Sequence, residues 1–323
     1  MKELVKWHDV KSHAQGLKSG VYDSDVIYGN ASFNRLVVTD LAESWDDFLE
    51  WSSRLRNRGF RGQMDASLPL QSSLEREIKV DRSYGDIRGS CHFSRKIADG
   101  KLLSDFRKLA PLHLPDLPSN DDQAGWLALM QHYGGPTGLL DWTECPFVGM
   151  YFALLEEPKG VNRSAVWAID LDWLQRKERE MLGNATPIQD LRTRINYKNS
   201  LIDESEKLLV VRIDPEQRNA RMVAQKGFFL WKLYRDTPLF DEMLMVMMLH
   251  PEIVQSPVIR KLEVSPELRN DFLERLSREK GIHKDTLFPG TNFCEQLKVE
   301  LWTMVAEYEQ ELRSIQVGKV VDG

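Results

Sequence analysis

The sequence predicts an α+β fold: a mixed or antiparallel central sheet with helices around it. Short apolar runs rich in Val, Ile, Phe and Trp occur at 164–169, 208–213, 227–231 and 258–264, the length of strands. Longer segments with apolar residues at helical spacing lie between them. The two kinds do not alternate regularly, which argues against a doubly wound parallel sheet.

In chain order, the first ~40 residues are weakly patterned and end in a β-branched run, Leu36-Val37-Val38-Thr39. Asp40 or Ser44 caps a helix through Asn57, with Trp45, Phe48, Leu49, Trp51 and Leu55 on its apolar side. A turn at Arg58-Gly59 leads into Phe60-Arg61-Gly62-Gln63. Helices are expected over 72–78 and from about 87 to 109, and Pro111, Pro115 and Pro118 then break the pattern. Asn120 or Asp121 caps the next helix, which runs to His132-Tyr133 and stops at Gly134-Gly135-Pro136. A short strand at Leu139-Leu140 follows, and Pro146 suits the first turn of a helix through Leu155, where its missing N–H costs nothing. Pro266 opens a helix through Lys280, and the last helix runs from about 292 to 315. Trp302, Val305, Tyr308 and Leu312 keep helical spacing there, suited to packing on the body or to self-association.

Composition narrows the function classes. The chain has 323 residues, room for one large domain or two. Hydrophobic residues make up 42% and charged residues 28%, which excludes fibrous and disordered chains. Mean hydropathy is -0.42. The most apolar run, Met243–Leu249, falls well short of the ~18 residues of a membrane span. It reads as core, although a Met-rich binding surface would look the same. Lys and Arg total 43 against 49 Asp and Glu, a net charge of -6 that weighs against a mainly electrostatic nucleic-acid binder. Cys91, Cys145 and Cys294 form neither a disulfide framework nor a zinc motif, and the first residues lack an apolar signal core. A cytoplasmic protein with no metal and no membrane attachment is expected.

Three segments carry chemistry. In FRGQ (60–63), Arg61 at a strand edge can fork onto phosphate or carboxylate oxygens and Gly62 permits close backbone approach, although an ordinary turn with a salt bridge would look alike. The stretch 126–153 concentrates Gln131, His132, Tyr133, Thr137, Asp141, Trp142 and Thr143 around a helix end and a loop. Singly, each has a plain structural reading: His132 as a helix C-terminal cation, Tyr133 as core, Asp141-Trp142-Thr143 as a helix cap. In 221–230, Arg221 and Gln225 share a face if the stretch is helical, and Gly227 marks a strand start.

These segments, FRGQ (60–63), QHYGGPTGLLDWTECPFVGMYFAL (131–154) and RMVAQKGFF (221–229), with KGIHKDTLFPG (280–290), resemble the FRG domain, a family named for its Phe-Arg-Gly motif. The resemblance runs from about Trp45 to Lys298. It sets an FRG-like domain at 41–300 between an N-terminal extension (1–40) and a C-terminal helix and tail (301–323). The family commonly reads Pro-Thr-Arg-Leu-Leu-Asp-Trp-Thr, where this chain has Gly138. A cation beside the expected pocket is therefore missing.

The arrangement is also similar to the ADP-ribosyltransferase superfamily, with its split sheet. There a first strand offers Arg or His, a second motif offers hydroxyl or aromatic groups before a helix, and a third strand usually offers Glu. Carried over, Arg61 is the first element, Thr137, Thr143 and Tyr151 are candidates for the second, and Gln225-Lys226-Gly227 falls at the third, with Gly227 where Glu is usual. The resemblance implies an NAD-dependent ADP-ribosyltransferase or NAD glycohydrolase, in bacterial conflict with phage, acting on a protein or nucleic-acid acceptor. Arg61, Asp141, Gln225 and His132 would serve catalysis. Arg61, Gln63, Tyr133, Thr137, Trp142, Thr143 and Arg221 would hold NAD. The competing expectation is a non-catalytic sensor that binds a nucleotide or peptide in the same cleft, which Gly138 and Gly227 favour.

Overall fold

The computed structural model describes residues 37–68, 70–77, 90–156, 162–182, 210–215, 218–232, 243, 247, 257–289 and 294–321. The strands are β1 Val37–Ala42, β2 Arg58–Gln63, β3 Leu140–Thr143, β4 Ser164–Asp170, β5 Val210–Ile213, β6 Gly227–Lys232 and β7 Ile259–Val264. They form one open sheet in the order β1-β7-β4-β2-β3-β6-β5. β1 and β7 run parallel and every other neighbouring pair runs antiparallel. The sheet is mixed and the class α+β, as expected.

The helices are α1 Trp45–Ser53, α2 Ser73–Glu77, α3 Ser90–Leu109, α4 Gln123–His132, α5 Pro146–Ala153, α6 Leu171–Leu182, α7 Ala220–Ala224, α8 Arg269–Lys280, α9 Lys284–Leu287 and α10 Glu295–Val321. Ser44 caps α1 by accepting from the Asp47 N–H at 3.2 Å. Pro146 occupies the first turn of α5. Gly281, at φ 64°, closes α8 in the left-handed region.

Several local expectations are corrected. The turn before β2 is made by Asn57, at φ 48°, so Arg58 and Gly59 already belong to the strand. The cap of α4 is Asp122, whose carboxylate accepts from the Gly125 N–H at 2.8 Å, and not Asn120 or Asp121. A side chain at Gly125 would collide with that carboxylate. Asp141, Trp142 and Thr143 form a strand and do not cap α5; the residue at the cap is Cys145, whose N–H donates to Thr143 Oγ1 at 3.0 Å. Of the Met243–Leu249 run, Met243 and Met247 are described and both are buried; the rest of that run, and residues 1–36 of the N-terminal extension, lie outside the described residues. Among the described residues no helix is long and apolar enough to cross a membrane.

Three apolar clusters hold the sheet. Phe106, Trp126, Met130 and Leu301 pack α3, α4 and α10 against Phe229, Trp231 and Ile213 of β6 and β5. Phe48, Met150 and Phe272 pack α1, α5 and α8 against Phe60, Val166 and Leu262 of β2, β4 and β7. Alternation along the strands sends Trp167, Ile169, Leu140, Trp142 and Phe228 to the opposite face, where they form one continuous cluster. Each such buried side chain contributes about 1.5–3 kcal/mol of transfer free energy. α10 crosses position 300 without a break, and Leu301, Val305 and Tyr308 are buried in the first cluster.

The strand carrying the FRG tripeptide sits at a discontinuity. β2 pairs with β4 along its whole length but meets β3 at one pair, Phe60 with Thr143. Beyond it the two strands splay. On the other side α5 lies directly on β2: a Cβ at Gly62 would come within 2.2 Å of the Gly149 carbonyl oxygen and 2.3 Å of the Ala153 nitrogen. Glycine at 62 is what allows this helix-to-strand approach.

Candidate functional site

The splay between β2 and β3 opens a cavity of about 690 Å³. β2 supplies Arg61 and Gln63, β3 supplies Asp141, Trp142 and Thr143, and the α7–β6 turn supplies Arg221, Gln225 and Gly227. Three segments distant in sequence thus meet on three neighbouring strands, because β3 lies between β2 and β6.

Arg61 bridges the splay. Its Nη1 donates to the Asp141 carbonyl oxygen at 2.7 Å, in the stretch where β2 no longer offers β3 a backbone partner. The same nitrogen lies 3.9 Å from Asp141 Oδ2. Burial pulls the guanidinium below its usual pKa; Asp141 opposes that pull and the nearby Arg76 adds to it. Arg61 Nε is buried with no hydrogen-bond partner among the described residues, and so is the indole N–H of Trp142, which is 3% exposed and borders the same cavity.

Asp141 is mostly exposed but held. The Gln131 amide donates to Asp141 Oδ1 at 2.8 Å, and the Thr137 hydroxyl donates to Gln131 Oε1. Thr137 itself is fully buried and does not line the cavity; it reaches Asp141 through Gln131. Gln131, one of the chemistry-bearing residues of 126–153 to which the resemblance assigns no role, is thus the residue that positions Asp141.

Arg221 and Gln225 share the cavity wall through α7. Arg221 sits 4.8 Å over the Phe288 ring and is drawn below its usual pKa by burial, partly offset by Asp141. Gln225 donates its amide to the Leu287 carbonyl at 3.0 Å, and its own carbonyl accepts from the Thr143 hydroxyl at 2.6 Å. The fourth segment, 280–290, therefore also reaches the site. Gln63 accepts from the Trp167 indole at 2.6 Å and donates to the Leu68 carbonyl at 2.8 Å, which holds the loop after β2. That loop leads to Arg76, a further cation on the cavity that sequence reasoning missed, since no periodicity marks it.

Other expected residues lie elsewhere. Tyr133 is buried in the α3–α4–α10 cluster, its ring perpendicular to His132 at 5.1 Å. Neither lines the cavity. Burial, then Arg221, lowers the His132 pKa. Tyr151, on α5, is buried in the core, and burial raises its pKa. A Cβ at Gly138 would face the Trp231 indole at 3.5 Å, so this position does not open on the cavity and the family arginine would not enter it from there.

Residues 56–161 match the family model of the FRG domain. No curated protein and no solved structure matches the chain.

Proposed function

We propose that the cleft, part of whose wall lies in the segment that matches the FRG-domain model, binds NAD and cleaves the nicotinamide–ribose bond, as an ADP-ribosyltransferase or NAD glycohydrolase would. The observation that carries the reading is the convergence of Arg61, Arg76 and Arg221 on one cavity around the exposed carboxylate of Asp141. The volume, about 690 Å³, falls in the range of nucleotide-sized ligand sites. The guanidinium groups of Arg61, Arg76 and Arg221 on the cavity wall supply donors for diphosphate and ribose oxygens.

Departure of nicotinamide leaves an oxocarbenium-like ribosyl cation. Catalysis then consists of holding the ribose and placing negative charge where the cation develops. Asp141 is the carboxylate for that role. Gln131 orients it, and Arg61 ties its backbone to β2.

A second reading, a non-catalytic nucleotide-binding module, is favoured by one observation. The start of β6 carries Gly227 in place of a carboxylate, and the Gln225 amide is already bound to the Leu287 carbonyl. Incubating the purified full chain with NAD, with and without cell extract, and following nicotinamide by liquid chromatography separates the two. Release above the protein-free control supports cleavage. Saturable NAD binding without release supports the binding module. Neither binding nor release refutes both.

A further inference from the structure

Arg76 stands on the cleft wall, yet the helix that carries it cannot hold it there alone. α2 has five residues, too few to be stable from its own hydrogen bonds. Electrostatics also work against the placement. Burial is the main cause of the lowered Arg61 pKa and Arg76 adds to it, so the two guanidiniums are close enough to repel each other. What fixes α2 comes from its flanks. The Ser72 N–H donates to Glu75 Oε2 at 2.8 Å, and the Glu75 N–H donates to Ser72 Oγ at 3.3 Å, a reciprocal cap. The other carboxylate oxygen, Glu75 Oε1, accepts from Lys232 Nζ at 2.6 Å. Lys232 is the last residue of β6, and the first residues of β6 line the cleft. Successive helix residues point about 100° apart, so Glu75 is buried while Arg76 is exposed at the cleft. The carboxylate next to Arg76 in sequence thus ties α2 to a strand of the cleft wall.

We propose that Glu75 and Lys232 are positioning residues, whose buried ion pair holds Arg76 where it and Arg61 grip one anionic group, the diphosphate of a dinucleotide. The inference rests on the nucleotide-binding part of the reading above, which its catalytic and non-catalytic forms share. A buried ion pair adds little net stability over neutral groups of similar size, because desolvation offsets the attraction. What it adds is register: the two charges must stay together or be left buried apart. An apolar contact tolerates a small slide of α2, and the ion pair does not. Since Arg61 repels Arg76, slack in α2 would carry Arg76 away from the cleft.

The test separates position from stability. The double variant Glu75→Gln/Lys232→Met removes both charges, leaves the net charge unchanged and keeps an acceptor for the Ser72 N–H. The full chain is titrated with NAD in a calorimeter, where stoichiometry reports the folded fraction and Kd reads only that fraction. The urea midpoint of the double variant should stay near the parent's, while its Kd for NAD rises at least about threefold. Arg76→Gln should raise Kd about tenfold or more, the worth of one charged hydrogen bond. In the Arg76→Gln background the double variant should add less than about twofold, because a neutral side chain has no such grip to lose. Glu75→Asp keeps both charges and draws the carboxylate back by one methylene; it should weaken binding in the same Arg76-dependent way, and it serves as the test if the double variant does not fold. A Kd within threefold of the parent's, a further rise of twofold or more in the Arg76→Gln background, or parental affinity in Arg76→Gln itself would overturn the positioning role while NAD binding by the parent still stood. No NAD binding by the parent would remove the nucleotide reading and this inference with it.

Discussion

Lys232 and Glu75 form an ion pair at 2.6 Å with side chains 7% and 3% exposed, and it joins the short α2 to the end of β6. The same short segment is pinned at 3.1 Å from the Leu74 N–H to the Thr137 carbonyl, and it carries Arg76 onto the cavity. Replacing Lys232 with Met keeps the length of the stem and removes its ammonium from the buried carboxylate. Removing one member of a buried pair costs about 3–5 kcal/mol. Glu75 Oε2 keeps its bond from the Ser72 N–H at 2.8 Å, which places the expected loss near the lower end, about 3 kcal/mol. Urea denaturation at neutral pH should show this as a lower midpoint with an unchanged slope. The double variant Glu75→Gln/Lys232→Met, which removes both charges and keeps an acceptor for the Ser72 N–H, should recover most of the loss. A single variant within about 0.5 kcal/mol of the parent, a range typical of surface substitutions, would refute the claim that the pair is buried and coupled.

Three other substitutions test the site and its frame. Gly62→Ala should destabilise by at least about 1–3 kcal/mol, read as a lower thermal midpoint, because the atoms a Cβ meets are helix backbone that cannot rotate away. Asp141→Asn should lower NAD turnover by ~100-fold or more with fold and NAD affinity kept, since an amide oxygen can still accept from Gln131 but carries no charge for the ribosyl cation. Steady-state nicotinamide release and calorimetric binding together check that split. Gly138→Arg should leave NAD affinity within about twofold, a difference of about 0.4 kcal/mol, because the position faces Trp231 and not the cleft; a tenfold gain in a binding titration would contradict that placement.

Much of the frame was readable because its signals are local. Helix ends at Gly134, Pro146 and Gly281 follow from backbone chemistry that each residue carries with it. The FRGQ, LDWT and QKGFF segments were recognisable as a set, and the fold places them on β2, β3 and β6. What failed was of two kinds. Near-equivalent residues compete at a cap, so Asp122 could not be told from Asn120 or Asp121, and a left-handed Asn57 carries no glycine to announce the turn. The assembled contacts were the other kind. Nothing local indicates that Gln131 orients Asp141, that Arg76 reaches the cavity from a five-residue helix, or that Phe288 lies under Arg221. Tyr133 went the opposite way: an aromatic beside two glycines reads like a stacking platform, yet α10 covers that side of α4 and buries it.

The single backbone pair between Phe60 and Thr143 gives the molecule the mechanics of a book. Each half-sheet carries its own helices as a leaf, and the apolar cluster holding Leu140, Trp142, Trp167 and Phe228 is the spine that both leaves share. On the fore-edge the leaves are joined by Arg61, gripping the Asp141 carbonyl across the gap, and by Gln225 and Arg221, which meet Leu287 and Phe288. An anion held jointly by Arg61 on one leaf and Arg221 on the other would be a further clasp. Its grip would be felt as slower amide exchange along β3 and β6, because closing the seam suppresses the local opening through which those strands exchange. The seam where the sheet has its fewest backbone pairs is then also the place where a ligand would stiffen it.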